Sequence, residues 1–289
     1  MLLKRFLRDA LGLFLASMLL CGGSAVARND QPHPSPADLL AGKLAEQFAA
    51  SGFKSVVIFD LTGPEGEWLP FGGWLADQFS IALARVTKGT QVIERAKLSA
   101  QMDSMYLIPK AVTTRAARVS LAEALGADGY IEGSFGPFKD QVGLTFVGWR
   151  TADVKTKNPV GASFLVNGKM PLDGEAAAHL TSPLESLRPS NGIFKAGHAG
   201  MTIPACETCP APKYPPAALW KQKRGVVSLM LVVSPEGRAS EAKVTESPDG
   251  DLNDAALEAI AATRFKPAVD PDGDPVAVRM PFHFGFQVK

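Results

Sequence analysis

Residues 276–288 read VAVRMPFHFGFQV, and every second residue in this stretch is apolar. Alternation with a period of two places the apolar side chains on one face of a β-strand and the remaining side chains on the other face. The seven apolar residues are Val276, Val278, Met280, Phe282, Phe284, Phe286 and Val288. This is the strongest strand signal in the chain, and it predicts a strand from Val276 to Gln287.

The preceding residues complete a small α+β unit. Residues 225–233 (GVVSLMLVV) predict a strand, and residues 234–237 (SPEG) predict a turn. Ala242 and Val244 alternate with polar residues, as in a returning strand. A helix capped by Asp251 follows, with one apolar face that comprises Leu252, Ala256, Ala259, Ile260 and Thr263. The predicted order is β-β-α-β, and the predicted domain covers residues 213–289.

The region before this unit alternates strands and helices. Amphipathic helices are predicted near 37–49, 71–86, 97–106 and 114–125, and strands at 55–59, 91–93, 130–133, 142–150 and 162–166. Alternation of this kind favours an α/β layered domain, which we place at residues 37–182. Residues 183–212 are rich in glycine and proline without periodicity, and they are interpreted as a linker.

The N-terminus has the features of an export signal. Lys4, Arg5 and Arg8 precede an apolar run from Ala10 to Leu20, and an A-x-A site predicts cleavage between Ala27 and Arg28. The run is about half the ~20 residues that span a bilayer. We therefore expect a signal peptide at 1–27, a polar tether at 28–36 and a periplasmic protein. An inner-membrane anchor remains the alternative.

Cleavage would leave Cys206 and Cys209 as the remaining cysteines of the chain. In an oxidising compartment this pair is expected to form a disulfide. A C-x-x-C redox motif and a zinc site that includes His198 are the alternatives.

The C-terminal residues resemble the TonB C-terminal domain family from about residue 204 to the end. The shared motifs are KYP at 213–215, GVV at 225–227, SPEGR at 234–238, AAL at 255–257 and RFKPA at 264–268. Domains of this family are periplasmic modules whose final strand pairs with an extended segment of an outer-membrane receptor. The resemblance implies contacts to such a partner from Val276, Val278, Arg279, Met280, Phe282, His283 and Phe284, with Tyr214 and Pro215 at the domain entrance.

Pro281 is compatible with that role. It has no N–H group to donate, so its strand is expected at a sheet edge or at a bulge. An edge is where strand addition takes place. A proline in an edge strand also protects that edge against aggregation. The sequence supports strand addition and edge protection equally.

Residues 37–182 resemble, more faintly, the domain shared by CsgG-like, FlgO-like and TolB amino-terminal proteins. The residues are VVIFD at 56–60, VIER at 92–95 with Leu98, and GADGYIEG at 126–133. The resemblance implies a scaffold domain of the cell envelope and no chemistry.

No enzyme signature, cofactor motif or metal cluster is identified in the sequence. Asp60, Glu65 and Glu67 surround a loop in which solvated acids are expected, although they are candidates for acid–base work or calcium binding. The four histidines are dispersed, and a net charge of +1 gives no case for nucleic-acid binding.

Three functions follow from these patterns. The first is a non-enzymatic periplasmic protein that binds an envelope protein, such as a TonB-dependent receptor, by strand addition. The second is a membrane-anchored energy transducer of the TonB type. Coupling to the inner-membrane motor is in doubt because residues 1–27 contain no histidine. The third is an enzyme that uses the loop around Asp60 and Trp68.

Overall fold

The computed structural model describes residues 35–154 and 162–287. The predicted signal peptide, its cleavage site between Ala27 and Arg28, and all but the last two residues of the tether lie outside the described residues, as does Val288. The fold is mixed α/β, with two main sheets that follow each other along the chain.

The first sheet has the strand order β2-β1-β3-β4-β5. Its strands are β1 (Ser55–Ile58), β2 (Gln91–Val92), β3 (Gly129–Phe138), β4 (Gln141–Arg150) and β5 (Phe164–Pro171). Strand β1 is parallel to β2 and β3, whereas β3, β4 and β5 form an antiparallel meander. The helices in this part are α1 (Pro36–Ser51), α2 (Pro70–Val86), α3 (Arg95–Ser104), α4 (Arg115–Ala124), α5 (Thr151–Val154) and α6 (Gly174–Ala178).

Helices pack on both faces of this sheet. On one face, α1 and α2 bury Phe48 and Phe79 against Ile131 and Phe146. On the other face, α3 and α4 enclose a smaller cluster around Tyr130. Helix α1 begins with a capping box in which Ser35 and Asp38 each satisfy a backbone N–H group at the helix start.

The second sheet has the order β6-β13-β8-β9. Its strands are β6 (Phe194–Lys195), β8 (Gly225–Val233), β9 (Ala239–Glu246) and β13 (Val278–Phe286), and α8 (Asn253–Ala262) packs on one face. A short helix α7 (Pro216–Trp220) precedes β8. Two small ribbons complete the chain: β7 (Ala205–Thr208) with β10 (Arg264–Lys266), and β11 (Ala268–Val269) with β12 (Pro275–Val276).

Two local predictions are wrong. The last strand is not continuous from Val276, because Pro275–Val276 pairs with Ala268–Val269 in a separate hairpin. That hairpin closes over a turn in which the Asp270 carboxylate accepts backbone hydrogen bonds from Asp272 and Asp274. The long strand therefore begins at Val278.

The other error concerns the start of α8. A 3₁₀ turn at Gly250–Leu252 precedes the helix, and the side chain of Asp249 accepts the backbone N–H of Asp251. Asp249, rather than Asp251, is the capping residue because the chain turns two residues earlier than the sequence pattern indicates.

The segment interpreted as a linker has paired backbone in two places. Strand β6 runs parallel to the start of β13, and β7 pairs with β10. These strands could not be predicted from periodicity, because segments of two to four residues are too short to show an alternating pattern.

Candidate functional site

Strand β13 presents two different faces. Val278, Phe284 and Phe286 are buried on the side of α8, and Met280 and Phe282 are half-buried there. Arg279, Pro281, His283 and Gly285 are exposed on the opposite face. The alternation predicted from the sequence is therefore present from Val278 onward.

One edge of β13 is fully paired and the other is mostly open. All nine residues pair with β8, whereas β6 covers only Val278 and Arg279. Within the described part of the chain, no strand pairs with this second edge from Met280 to Phe286. Strand β13 is thus an edge strand over most of its length.

The hydrogen bonds to β6 show which backbone groups point outward. The carbonyl groups of Ala277 and Arg279 accept from the N–H groups of Phe194 and Ala196, each at 3.0 Å. Backbone groups in a strand alternate in direction, so Pro281, His283 and Gly285 also point away from β8. Pro281, which has no N–H group, occupies an outward position where β8 loses no hydrogen bond.

The predicted partner-contacting residues do not all belong to this edge. Val276 lies in β12, outside the strand, which corrects its inclusion among the strand residues. Val278, Met280, Phe282 and Phe284 belong to the strand and point towards the small core. Pro281 and Gly285 carry outward backbone groups but were absent from the predicted set. The proline itself could have indicated which alternate residues point outward, because it lacks the N–H group that an inward position would need.

The other predicted residues have defined contacts. The Tyr214 ring packs edge-on against Phe286 with 5.7 Å between ring centroids, so it closes the end of the small core. Pro215 precedes the first turn of α7. On the exposed face, Nδ1 of His283 lies 3.1 Å from Oγ of Ser228, and Arg279 pairs with Glu241 at 3.5 Å.

Cys206 and Cys209 are joined by a disulfide in this structure, with 6.0 Å between their Cα atoms. Cys206 lies in β7, opposite Phe265 of β10. The pair therefore fixes the end of a short ribbon that leads into the C-terminal domain.

The acidic loop near Asp60 is held by internal contacts. Nε1 of Trp68 donates to Asp60 at 2.8 Å, and Arg95 forms an ion pair with the same carboxylate. Arg95 also donates to Asp77 at 2.8 Å and to the carbonyl of Ile58 at 2.9 Å. Asp60 borders two cavities, of about 20 Å³ and about 170 Å³. Asp60 thus links β1, α2 and α3 through Arg95.

The described histidines lie in three separate environments. His179 stacks on Trp74, with 4.9 Å between ring centroids. Burial and the nearby Lys195 cation lower the pKa of His198 to about 4. His283 is exposed on β13. His33 lies outside the described residues.

Among the described residues, no helix is long and apolar enough to cross a membrane.

Comparison with known proteins bears on the C-terminal domain. Residues 210–286 match the family model of the Gram-negative bacterial TonB protein C-terminal region. The predicted resemblance is therefore confirmed, and the chain has a mixed α/β fold with a TonB-like C-terminal domain. No curated protein matches the sequence.

Three solved structures are similar to parts of the chain. The LpoB C-terminal domain from Salmonella enterica is 14% identical, covers 47% of this chain and 96% of its own, and has a TM-score of 0.37. The Pseudomonas aeruginosa TonB C-terminal domain is 26% identical over 30% of this chain and 87% of its own, with a TM-score of 0.27. Lipoprotein GNA1162 from Neisseria meningitidis is 12% identical over 42% and 83%, with a TM-score of 0.31. The resemblance of residues 37–182 to CsgG-like domains stays a prediction.

Proposed function

We propose that this chain is a non-enzymatic periplasmic protein of the cell envelope that binds an extended segment of a partner by strand addition to β13. The observation that carries the proposal is the open edge of β13 beyond Arg279. A strand needs a row of outward N–H and C=O groups to accept another strand, and main-chain hydrogen bonds then provide the affinity.

The outward groups define how a partner would bind. Pro281 offers only its carbonyl, whereas His283 and Gly285 each offer an N–H and a C=O group. A partner strand therefore meets its first donors at His283. The exposed side chains of Pro281 and His283 lie beside this edge and would contact alternate side chains of the partner.

The match to the TonB family model supports this location. It spans β8, β9, α8 and all of β13, so the three strands that form and flank the open edge lie in the part of the chain with family support. We propose an envelope protein as the partner, with the extended periplasmic segment of a TonB-dependent receptor as the first candidate.

The substitution His283→Pro tests strand addition with little risk to the fold. The N–H group of His283 points away from β8, so proline removes a donor to the partner and none to the protein's own sheet. Pro281 already occupies the equivalent position two residues earlier. His283→Ala is the matched control because it removes the same side chain and keeps the N–H group.

We expect His283→Pro to keep the wild-type circular dichroism spectrum and to lose the partners that cross-link to wild type in envelope extracts. A peptide copied from the receptor segment should bind about tenfold more weakly, as expected for one lost hydrogen bond and a local mismatch. His283→Ala should capture the same proteins as wild type. Equal capture by the folded proline variant would disprove strand addition at this edge.

A further inference from the structure

A polar cavity of about 240 Å³ lies against the first sheet, on the face that carries α3 and α4. Glu132 and Ser134 of β3 and Thr145 of β4 line it from the sheet. Arg118 of α4 lies on one side, and Lys195 of β6 and His198 of the segment after it lie on another. No residue of β13 lines this cavity, although Lys195 lies in β6, which pairs with the start of that strand.

The segment that closes the cavity is fixed by buried hydrogen bonds. The backbone N–H of Ala199 donates to Oγ of Ser134, and that of Gly200 donates to Oγ1 of Thr145, both at 2.9 Å. The approach is close: a Cβ atom at Gly143 would lie 2.2 Å from the carbonyl oxygen of Ala199. The position of His198 therefore follows from its neighbours' contacts with the sheet.

The one carboxylate on the cavity wall already has partners. Arg118 forms an ion pair with Glu132 through Nη1, and Nε1 of Trp149 donates to the other carboxylate oxygen at 2.7 Å. The charge of Arg118 is thus balanced by Glu132. Lys195 lies at the exposed mouth of the cavity and forms no ion pair with any described residue, so its positive charge is not balanced there.

The polar side-chain groups at the cavity that lack a hydrogen-bond partner among the described residues are all able to donate a hydrogen bond. The side chain of Arg118 is 11% exposed, and its Nε is buried with no hydrogen-bond partner among the described residues. Nδ1 of His198 is also buried without a partner in the described structure. It donates in one tautomer of the neutral ring. Buried donors without acceptors are costly, so a ligand that supplies acceptor oxygens would be stabilised here.

We infer that this cavity binds a small oxyanion, with the ammonium group of Lys195 and the Nε–H group of Arg118 as its principal donors. The cavity volume of about 240 Å³ is many times the ~10–15 Å³ that a single water molecule requires. That volume suits a phosphate group or a small polycarboxylate. Charge-assisted hydrogen bonds to such an anion are shorter and stronger than those between neutral groups.

The test uses the whole protein and two probes, inorganic phosphate and citrate, titrated at constant ionic strength against sodium chloride. We expect saturable binding of at least one probe by calorimetry. Lys195→Gln should weaken that binding about tenfold, since it removes one charged donor. The backbone pairing of β6 does not depend on this side chain, so the variant is expected to fold.

Lys243→Gln is the matched control because it removes the same charge from an exposed position on β9. It should leave the affinity unchanged. Binding of phosphate alone or of citrate alone would identify the anionic group. The inference is overturned if neither probe binds saturably, or if both lysine variants weaken binding equally. Neither result would affect strand addition at β13, which involves a different surface.

Discussion

At the scale of single residues, His198 shows how the segment that closes the polar cavity, residues 196–200, changes the chemistry of a side chain. Burial, and second the positive charge of Lys195, lower its pKa from 6.5 to about 4. The folded protein therefore holds a neutral imidazole at pH values where the unfolded chain binds a proton. The sequence placed His198 in a linker and gave no reason to expect its burial.

This difference predicts a dependence of stability on pH. Between pH 6.5 and 4, the unfolded state binds a proton that the folded state does not, so the free energy of unfolding falls as the pH falls through this range. The loss from His198 is at most about 3 kcal/mol, from the pKa difference at 1.36 kcal/mol per unit. Urea unfolding at pH 7 and pH 5 measures it.

His198→Gln cannot titrate, so the variant should lose less stability than wild type between these two pH values. His283→Gln, at an exposed position, is the control and should follow wild type. If His198→Gln and wild type lose equal stability, then the imidazole is not held neutral by the fold.

At the scale of elements, the turn between β8 and β9 depends on one glycine. Gly237 has a φ of 74°, a left-handed conformation that costs other residues about 1–2 kcal/mol. A Cβ atom there would lie 1.9 Å from the carbonyl oxygen of Phe265, which belongs to β10. The glycine thus permits both the turn and the close approach of β10.

Gly237→Ala is expected to lower the free energy of unfolding by about 2 kcal/mol or more, because strain and the clash with Phe265 add. Gly250→Ala is the matched control, since no atom lies within 4 Å of the added Cβ. Denaturant unfolding should show little change for the control. Equal effects of the two substitutions would contradict this account of the turn.

The elements differ in how well the sequence predicts them. Strand β8 was predicted at its observed bounds of Gly225–Val233, because a continuous apolar run between glycine and a turn has few other interpretations. The break at Ala277 was not predicted, since alternation continues through it while the hydrogen bonds change partner from β11 to β8. Apolar periodicity reports which face is buried and says nothing about which strand is the neighbour.

The same limit applies to the candidate sites. Pro281 indicated an edge strand from sequence alone, through its missing donor. The carbonyl of Arg279 accepts a hydrogen bond from the N–H group of Ala196, and this contact shows which alternate residues of β13 point outward. The sequence contains no signal for that contact. The oxyanion cavity was not predicted, because its groups come from residues between Thr62 and His198 that have no common spacing.

At the scale of the whole molecule, the two main sheets are joined by contacts rather than by a free linker. All of the described residues belong to one compact unit. Phe138 of β3 packs in the core of the second sheet, and Asp272 of the β11–β12 hairpin forms ion pairs with Lys139 and Lys169 of the first. Two backbone groups, at Ala199 and Gly200, donate to hydroxyl groups of the first sheet.

These contacts predict cooperative unfolding, with a single heat-absorption peak in scanning calorimetry of the wild type.

The double substitution Ser134→Ala with Thr145→Val leaves the N–H groups of Ala199 and Gly200 buried without acceptors, at a cost of about 1–3 kcal/mol each. We expect this variant to unfold at lower temperature and in two peaks, because residues 196–200, whose hydrogen bonds couple the two sheets, are held less firmly. Ser80→Ala is the control, since the Ser80 hydroxyl is buried in the first core without a partner among the described residues, and its removal should not lower stability. If the double variant still unfolds in one peak at the temperature of the control, then the sheets are coupled by the Phe138 and Asp272 contacts instead.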